Sequence, residues 1–185
     1  YYTPRFAGFQ LGASYTPGGT QDVNNTPATS SGNDHDGWSV GLNFDRKFGE
    51  FGLGAAIGYG QNKDALGGGA DENTAIGGGI RVDFAGFRVG FGYVAREDAA
   101  GTAGSTTEGN SWDAGIRYTF GPNAVSLTYQ DVENEISVNG PEDKTKQAML
   151  AYNRTLGPGV NWILMGMWAD YEGATPGNSD DNDGY

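Results

Sequence analysis

Apolar and polar residues alternate in short segments along this chain, and the alternation is clearest on either side of Ala85-Gly86. Before this pair, Val82 and Ile80 occupy every second position, with charged residues or glycine between them. After it, Val89 and Phe91 continue the pattern. Successive side chains of a β-strand point to opposite faces. The pattern therefore predicts a hairpin with one apolar face and one face of glycine and charge.

The same alternation predicts nine strands, preceded by the stub of another at Tyr1-Tyr2. Short turns that contain glycine or proline alternate with long polar links. This arrangement predicts an all-β fold, an antiparallel up-and-down barrel. The predicted strands are residues 8–15, 37–48, 51–61, 73–84, 87–96, 111–120, 124–133, 145–156 and 159–171. The turns are 3–7, 49–50, 85–86, 121–123 and 157–158, and the links are 16–36, 62–72, 97–110, 134–144 and 172–185.

Composition bears on whether the apolar face points inward or toward lipid. Only 37% of the 185 residues are hydrophobic, 33 are glycine and none is cysteine. No stretch approaches the roughly 20 apolar residues of a transmembrane helix. Transmembrane strands, however, need only about 9–11 residues with one apolar face. The composition thus favours a membrane barrel over a soluble core.

Aromatic residues mark both ends of the predicted strands, as expected for a barrel that spans a lipid layer with two interfaces. A tilted strand of ten residues rises about 25 Å, the height of an outer-membrane apolar band. Aromatics also flank turns in other β proteins, but here they recur on almost every strand. Beside the turns lie Phe6, Phe9, Phe48, Phe51, Phe84, Phe87 and Phe120, and near the links lie Tyr15, Trp38, Tyr59, Tyr93, Trp112, Tyr129, Trp168 and Tyr171.

Charge is segregated between the two ends. The net charge is −12, and most of the 23 acidic residues fall in the long links, together with only Lys63 and Lys144 of the 11 basic residues. This acidic rim predicts a weak attraction for cations, including non-specific Ca²⁺ binding. The run Ser179-Asp180-Asp181-Asn182-Asp183-Gly184 only partly matches a calcium loop. The negative charge disfavours nucleic acid as a partner.

The run Tyr1-Tyr2-Thr3-Pro4-Arg5-Phe6-Ala7-Gly8-Phe9 and its continuation to Tyr15 resemble the general diffusion porins of Gram-negative bacteria, the sixteen-stranded trimeric type. In that family a similar stretch joins the sixth strand to the seventh. Phe48-Gly49-Glu50-Phe51, Tyr118-Thr119-Phe120-Gly121-Pro122 and Leu156-Gly157-Pro158-Gly159-Val160 also resemble its periplasmic turns. The resemblance extends over essentially the whole chain.

The resemblance implies that the nine strands are approximately strands 7–15 of such a barrel, in one domain spanning residues 1–185. Both chain ends look cut, so we expect the earlier strands, the inward-folded constriction loop and the last strand to be missing. The resemblance also implies a multi-pass protein of the outer membrane that contacts the membrane lipid. When full length, the protein is expected to be a homotrimer. A partial barrel would leave two unpaired edges, so we do not expect this piece to form a pore alone.

The face of glycine and charge is predicted to line the pore. In similar porins, wall arginines and acidic loop residues set a transverse field, and Arg81, Arg88 and Arg117 could contribute to one here. Alternatively, the arginines only form pairs with Asp45, Asp83 and Asp113. The candidate pore-lining residues are Asp45, Lys47, Arg81, Asp83, Arg88, Arg96, Asp113 and Arg117.

One strand departs from the pattern. In segment 159–171, Ile163, Met165 and Met167 would face inward if Trp162 and Leu164 face lipid. The register of this strand, or what packs against it, is therefore left open.

The sequence offers no catalytic constellation, metal site or cofactor motif. His35 is the only histidine and stands between two aspartates in a long link, and the serines have no partner base. We therefore predict a non-enzymatic porin that passes small hydrophilic solutes and ions. Two alternatives stay open, a soluble β-barrel that binds a ligand within an apolar interior, and a structural or adhesive outer-membrane barrel without transport.

Overall fold

The computed structural model describes residues 1–18, 35–63, 72–99, 106–135 and 137–173, and these form a single nine-stranded sheet. Each strand pairs antiparallel with its sequence neighbours, in the order β1 to β9. No described residue lies in a helix that could cross a membrane. The strands are β1 (Phe9–Gly18), β2 (His35–Phe48), β3 (Phe51–Lys63), β4 (Glu72–Phe84), β5 (Phe87–Ala99), β6 (Thr106–Phe120), β7 (Asn123–Glu135), β8 (Glu142–Gly157) and β9 (Val160–Glu172).

Local backbone geometry explains the short turns. Phe84 pairs with Phe87 across Ala85 and Gly86, whose φ angles are 51° and 84°. Two successive residues with positive φ form the turn that matches the twist of a hairpin. Ala7, at φ 50°, and Gly8, at φ 97°, repeat this geometry before β1. Residues before this turn pair back onto β1, where Tyr2 bridges Gly12, which agrees with the predicted strand stub.

The predicted strand ends are accurate at the turns and too short at the links. At the turns, prediction and structure agree within one residue, whereas β6 begins at Thr106 rather than at 111 and β8 at Glu142 rather than at 145. The link-side extensions are polar on both faces, so the alternation that marks a strand is lost there although backbone pairing continues. Several acidic residues assigned to links, such as Glu108 and Glu135, therefore lie in paired strand.

The sheet has no hydrophobic core. Ala124 is the only hydrophobic residue that is buried in the described part of the chain, whereas Ile57, Leu127, Leu150 and Leu164 are each half exposed or more. We call the face that carries these side chains the apolar face and the opposite one the glycine-rich face. A concave region of about 600 Å³ is lined mainly by residues of the glycine-rich face, including Asp45, Arg81 and Arg88. The apolar face is therefore the outer one, contrary to a soluble barrel with an apolar interior.

Aromatic side chains form two belts on the apolar face, and rings within each belt contact each other. At the turn side, Phe87 and Tyr118 stack with centroids 4.3 Å apart. At the link side, Trp112 lies 5.2 Å from Tyr129. Tyr118 belongs to the turn-side belt, although the sequence pattern does not predict it there. Tyr171 pairs with Thr145 and therefore lies on the glycine-rich face, so it is not part of the link-side belt. Two belts separated by aliphatic residues match the two interfaces of a membrane.

Candidate functional site

Strand register aligns the charged residues of the glycine-rich face in rows across neighbouring strands. Successive Cα partners in the row nearest the short turns, the turn-side row, are Lys47, Gly52, Asp83, Arg88, Arg117 and Ser126. Partners in the next row, the second row, are Asp45, Gly54, Arg81, Gly90, Gly115 and Thr128. Together the two rows hold four cations and two carboxylates.

Ion pairs connect the two rows. Arg81 Nη2 lies 2.8 Å from Asp45 Oδ2, and Arg81 Nε lies 3.0 Å from Asp83 Oδ2. Arg88 Nε donates to the other oxygen of Asp83 at 2.6 Å. Asp83 thus accepts from two arginines, and the four side chains form a continuous network that fixes both guanidinium groups.

Glycine lets an arginine reach across an intervening strand. Arg81 on β4 passes over Gly54 of β3 to reach Asp45 on β2, and a Cβ at Gly54 would lie 3.3 Å from the guanidinium carbon. Arg96 on β5 passes over Gly109 of β6 in the same way and donates to Asn134 on β7 at 2.9 Å. A Cβ at Gly109 would lie 2.7 Å from Arg96 Nε. Gly54 and Gly109 thus leave room for the side chains of neighbouring strands, in addition to keeping the wall smooth.

The remaining candidate residues lie on the same face but outside the network. Asp113 stands beyond the second row, over Gly92, and forms no ion pair within the described chain. Arg96 lies nearer the links and pairs with Asp98 at 3.4 Å. Lys47 and Arg117 have no ion pair among the described residues either. The expected ion pairs thus form at Asp45 and Asp83 and do not form at Asp113.

The structure adds Arg5, Gln10 and Asn134 to the polar residues of this face that the sequence pattern predicts. Arg5 donates to the Gly8 carbonyl oxygen at 2.7 Å and to Asn43 Oδ1 at 2.6 Å, and it also contacts Gln10. Asn134 is missed in the same way, because its strand was predicted to end at 133. The alternation pattern carries the signal for such residues, because it places Gln10 and Asn43 on the same face as the charged residues.

The structure settles the register of β9. Met165 pairs with Ala151, and Met167 pairs with Met149, so all three methionines of the chain lie on the glycine-rich face. Leu164 and Trp162 share the opposite face. Both faces of β9 are consequently apolar and exposed. The charged rows thus occupy β2 to β6, and an apolar patch occupies β8 and β9.

Ion pairs also lie on the outer face beyond the link-side belt, four residues past Tyr129. Lys144 Nζ lies 3.0 Å from Glu133 Oε1 and 3.1 Å from Glu142 Oε2. The hydrogen bond from Lys144 lowers the pKa of the Glu133 carboxyl below its usual value. Hydrogen bonds to the two carboxylates raise the pKa of Lys144 above its usual value. These pairs favour the charged forms at neutral pH and join β7 to β8 above the apolar band.

The described ranges contain no cluster of three or more residues that could hold a metal ion. The acidic run at 179–184, which partly matches a calcium loop, lies outside the described residues. The backbone of His35 begins β2, and its side chain is not described. The expectation of weak Ca²⁺ binding stays a prediction.

The two rows border a concave space of about 600 Å³ on the glycine-rich face. Its lining includes Asp45, Arg81, Arg88, Asp113 and Arg117. A second concave region, of about 470 Å³, lies at the turns and is lined by Lys47, Arg88 and Arg117 together with Asp83 and Glu50. Charged side chains on a water-accessible face, with an apolar outer face and two aromatic belts, define the wall of a transmembrane β-barrel.

Comparison with known families agrees with this class. Residues 1–174 match the family model described as Gram-negative porin. The chain therefore belongs to the Gram-negative porin family, which consists of non-enzymatic channels, and it is an outer-membrane β-barrel protein. No curated protein matches the chain at a significant level.

Proposed function

We propose that this porin forms a water-filled channel for the passive diffusion of small hydrophilic solutes and ions, and that the glycine-rich face lines it. The observation that carries the proposal is the placement of charge. Arg81, Asp83 and Arg88 stand on the concave face, where side chains meet open space, and the apolar residues that alternate with them on β4 and β5 stand on the other face. An interior that is polar and glycine-rich leaves room for water.

The channel needs more strands than the described sheet contains. Within the described residues β9 pairs only with β8, so its other edge is open. An open edge is not tolerated in lipid, because its backbone groups would stay unsatisfied. We therefore propose that this chain forms approximately strands 7–15 of a sixteen-strand barrel, which the resemblance implies is homotrimeric.

The competing function is a structural or adhesive barrel without transport. The concave charged wall favours a channel, because a plugged or purely structural barrel needs no open luminal space. The two functions differ in a single measurable property, which is ionic conductance.

The test is reconstitution of the whole porin that contains this chain into planar lipid bilayers. We expect stepwise conductance increments that scale with KCl concentration, from protein whose folded state migrates differently on gels before and after heating. The heat-denatured protein is the control and should give no steps. A folded, heat-modifiable barrel that gives no conductance would contradict the channel and favour the structural alternative.

A further inference from the structure

We propose that Arg88, Arg117 and Ser126 form a subsite for the phosphate group of small solutes on the channel wall. The inference rests on the proposed channel function, because it names a class of solute that the wall would bind. Its basis is a pair of arginines that are adjacent in register and incompletely neutralised.

Arg88 and Arg117 are direct Cα partners on β5 and β6, and both side chains lie on the glycine-rich face. Like charges directly opposite each other destabilise a sheet. Of the Arg88 guanidinium, only Nε donates to Asp83. Within the described chain, the two Nη groups of Arg88 and the entire guanidinium of Arg117 have no hydrogen bond or ion pair. These forked donors match the oxygens of a phosphate, and a bound phosphate would relieve their repulsion.

The surface beside Arg88 is open. In the second row, the neighbour of Arg88 toward the links is Gly90, where a Cβ would meet only the Ile80 carbonyl oxygen at 3.7 Å. The neighbour of Arg117 is Gly115, which the Thr128 methyl group partly covers. On the other side of Arg117, its register partner Ser126 adds a hydroxyl group, a donor that suits an oxyanion. Arg88, Gly90, Gly115, Arg117 and Ser126 all line the 600 Å³ concave region. A solute of a few heavy atoms could therefore approach the guanidinium groups without displacing protein.

The charge of the turn-side and second rows favours a dianion over a monoanion. The turn-side and second rows hold two cations in excess of their carboxylates, and Lys47 borders the same turn-side space as Arg88 and Arg117. Glu50 also borders that space, but from the turn beyond Lys47. Asp113 lies beyond the glycines and limits the subsite toward the links. A single carboxylate would be satisfied by one guanidinium, whereas a phosphate dianion can accept from both.

The experiment titrates inorganic phosphate against the folded whole porin in detergent at low ionic strength, with binding followed by the width of the ³¹P resonance. Arg117→Gln removes one charge from the subsite. Arg96→Gln removes the same charge from the same face but far toward the links, where Arg96 already has Asp98 and Asn134 as partners. We expect phosphate affinity to fall about fivefold in Arg117→Gln and to change less than about twofold in Arg96→Gln.

Acetate is titrated in parallel and should bind more weakly than phosphate in the parent protein. Equal affinity of Arg117→Gln and parent for phosphate would overturn the subsite. Equal losses in both variants would also overturn it, because the effect would then be general electrostatic attraction. Acetate binding as tight as phosphate binding would overturn the assignment to phosphate. A parent that binds phosphate but gives no conductance would contradict the proposed channel and leave the subsite supported.

Discussion

At the scale of single residues, the charged wall depends on glycine as much as on charge. Arg81 reaches Asp45 only because no side chain stands on Gly54 between them. Arg96 reaches Asn134 across Gly109 by the same device. Where a cation and its acceptor lie two strands apart in one row, the position between them must therefore be glycine. Composition alone does not reveal this requirement.

Gly54→Val should disconnect Arg81 from Asp45, because the added side chain occupies the space through which the guanidinium passes. In the parent, a double-mutant cycle with Arg81→Gln and Asp45→Asn should give a coupling free energy of about 0.2–1 kcal/mol, as for other exposed ion pairs. In the Gly54→Val background that coupling should vanish. The measurement is urea unfolding of the whole porin in lipid vesicles.

Gly58→Val is the matched control, since a Cβ there meets only the Val40 carbonyl oxygen at 3.6 Å. The coupling should persist in this background. If coupling survives in Gly54→Val, the passage over the glycine is not required for the pair.

At the scale of strands, side chains alternate between the two faces, so the position of a residue along its strand decides whether its side chain meets lipid or water. A shift of one residue would move an entire strand's apolar set to the other face. On β7, Leu127 lies on the apolar face and Thr128 on the glycine-rich face, and both side chains are exposed in the described sheet. Leu127 and Thr128 therefore differ in what surrounds their side chains, lipid for Leu127 and water for Thr128, and not in whether they are exposed.

Leu127→Lys should destabilise the folded porin by about 2–4 kcal/mol, the cost of a lysine on the lipid face near the midplane. Thr128→Lys should cost less than about 1 kcal/mol, because its ammonium group stays in water, and it should instead alter ion selectivity. Urea unfolding in vesicles measures both. Equal destabilisation by the two substitutions would show that the glycine-rich face does not line water.

At the scale of the whole molecule, the described sheet has the wall of a channel without its closure. Each strand pairs only with its sequence neighbours, and the far edge of β9 has no partner among the described residues. Polar backbone at such an edge costs several kcal/mol per unsatisfied group in hydrocarbon. The stability of this sheet in a membrane must therefore depend on further strands.

A protein limited to residues 1–185 should consequently give no conductance steps that persist, and it should associate through its strand edges when refolded in detergent. Size-exclusion chromatography and planar-bilayer recording measure the two properties. The whole porin, refolded identically, is the control. Persistent steps of uniform size from residues 1–185 would contradict the proposed sixteen-strand closure.

The number of strands, their order and the face of most side chains can be predicted from the amino-acid sequence. These properties are local, because alternation has a period of two and a two-residue turn fixes the register of its own hairpin. The pairing of Asp83 with Arg88 follows from this, since Phe84 must oppose Phe87. The link-side strand ends were not predictable, because their polar faces carry no alternation.

Which charges meet across the long links becomes apparent only from the three-dimensional pairing of the strands. Arg88 and Arg117 are separated by the link between β5 and β6, and no turn fixes the register of that pair. The reach of Arg81 over Gly54 depends likewise on the register of β3 with β4. The inward position of Met165 has a different cause, a register shift between Thr155 and Gly157 beside the short turn that joins β8 and β9. Register between strands that a long link joins is set by the pairing of many distant residues, and it places the charges that the solute meets.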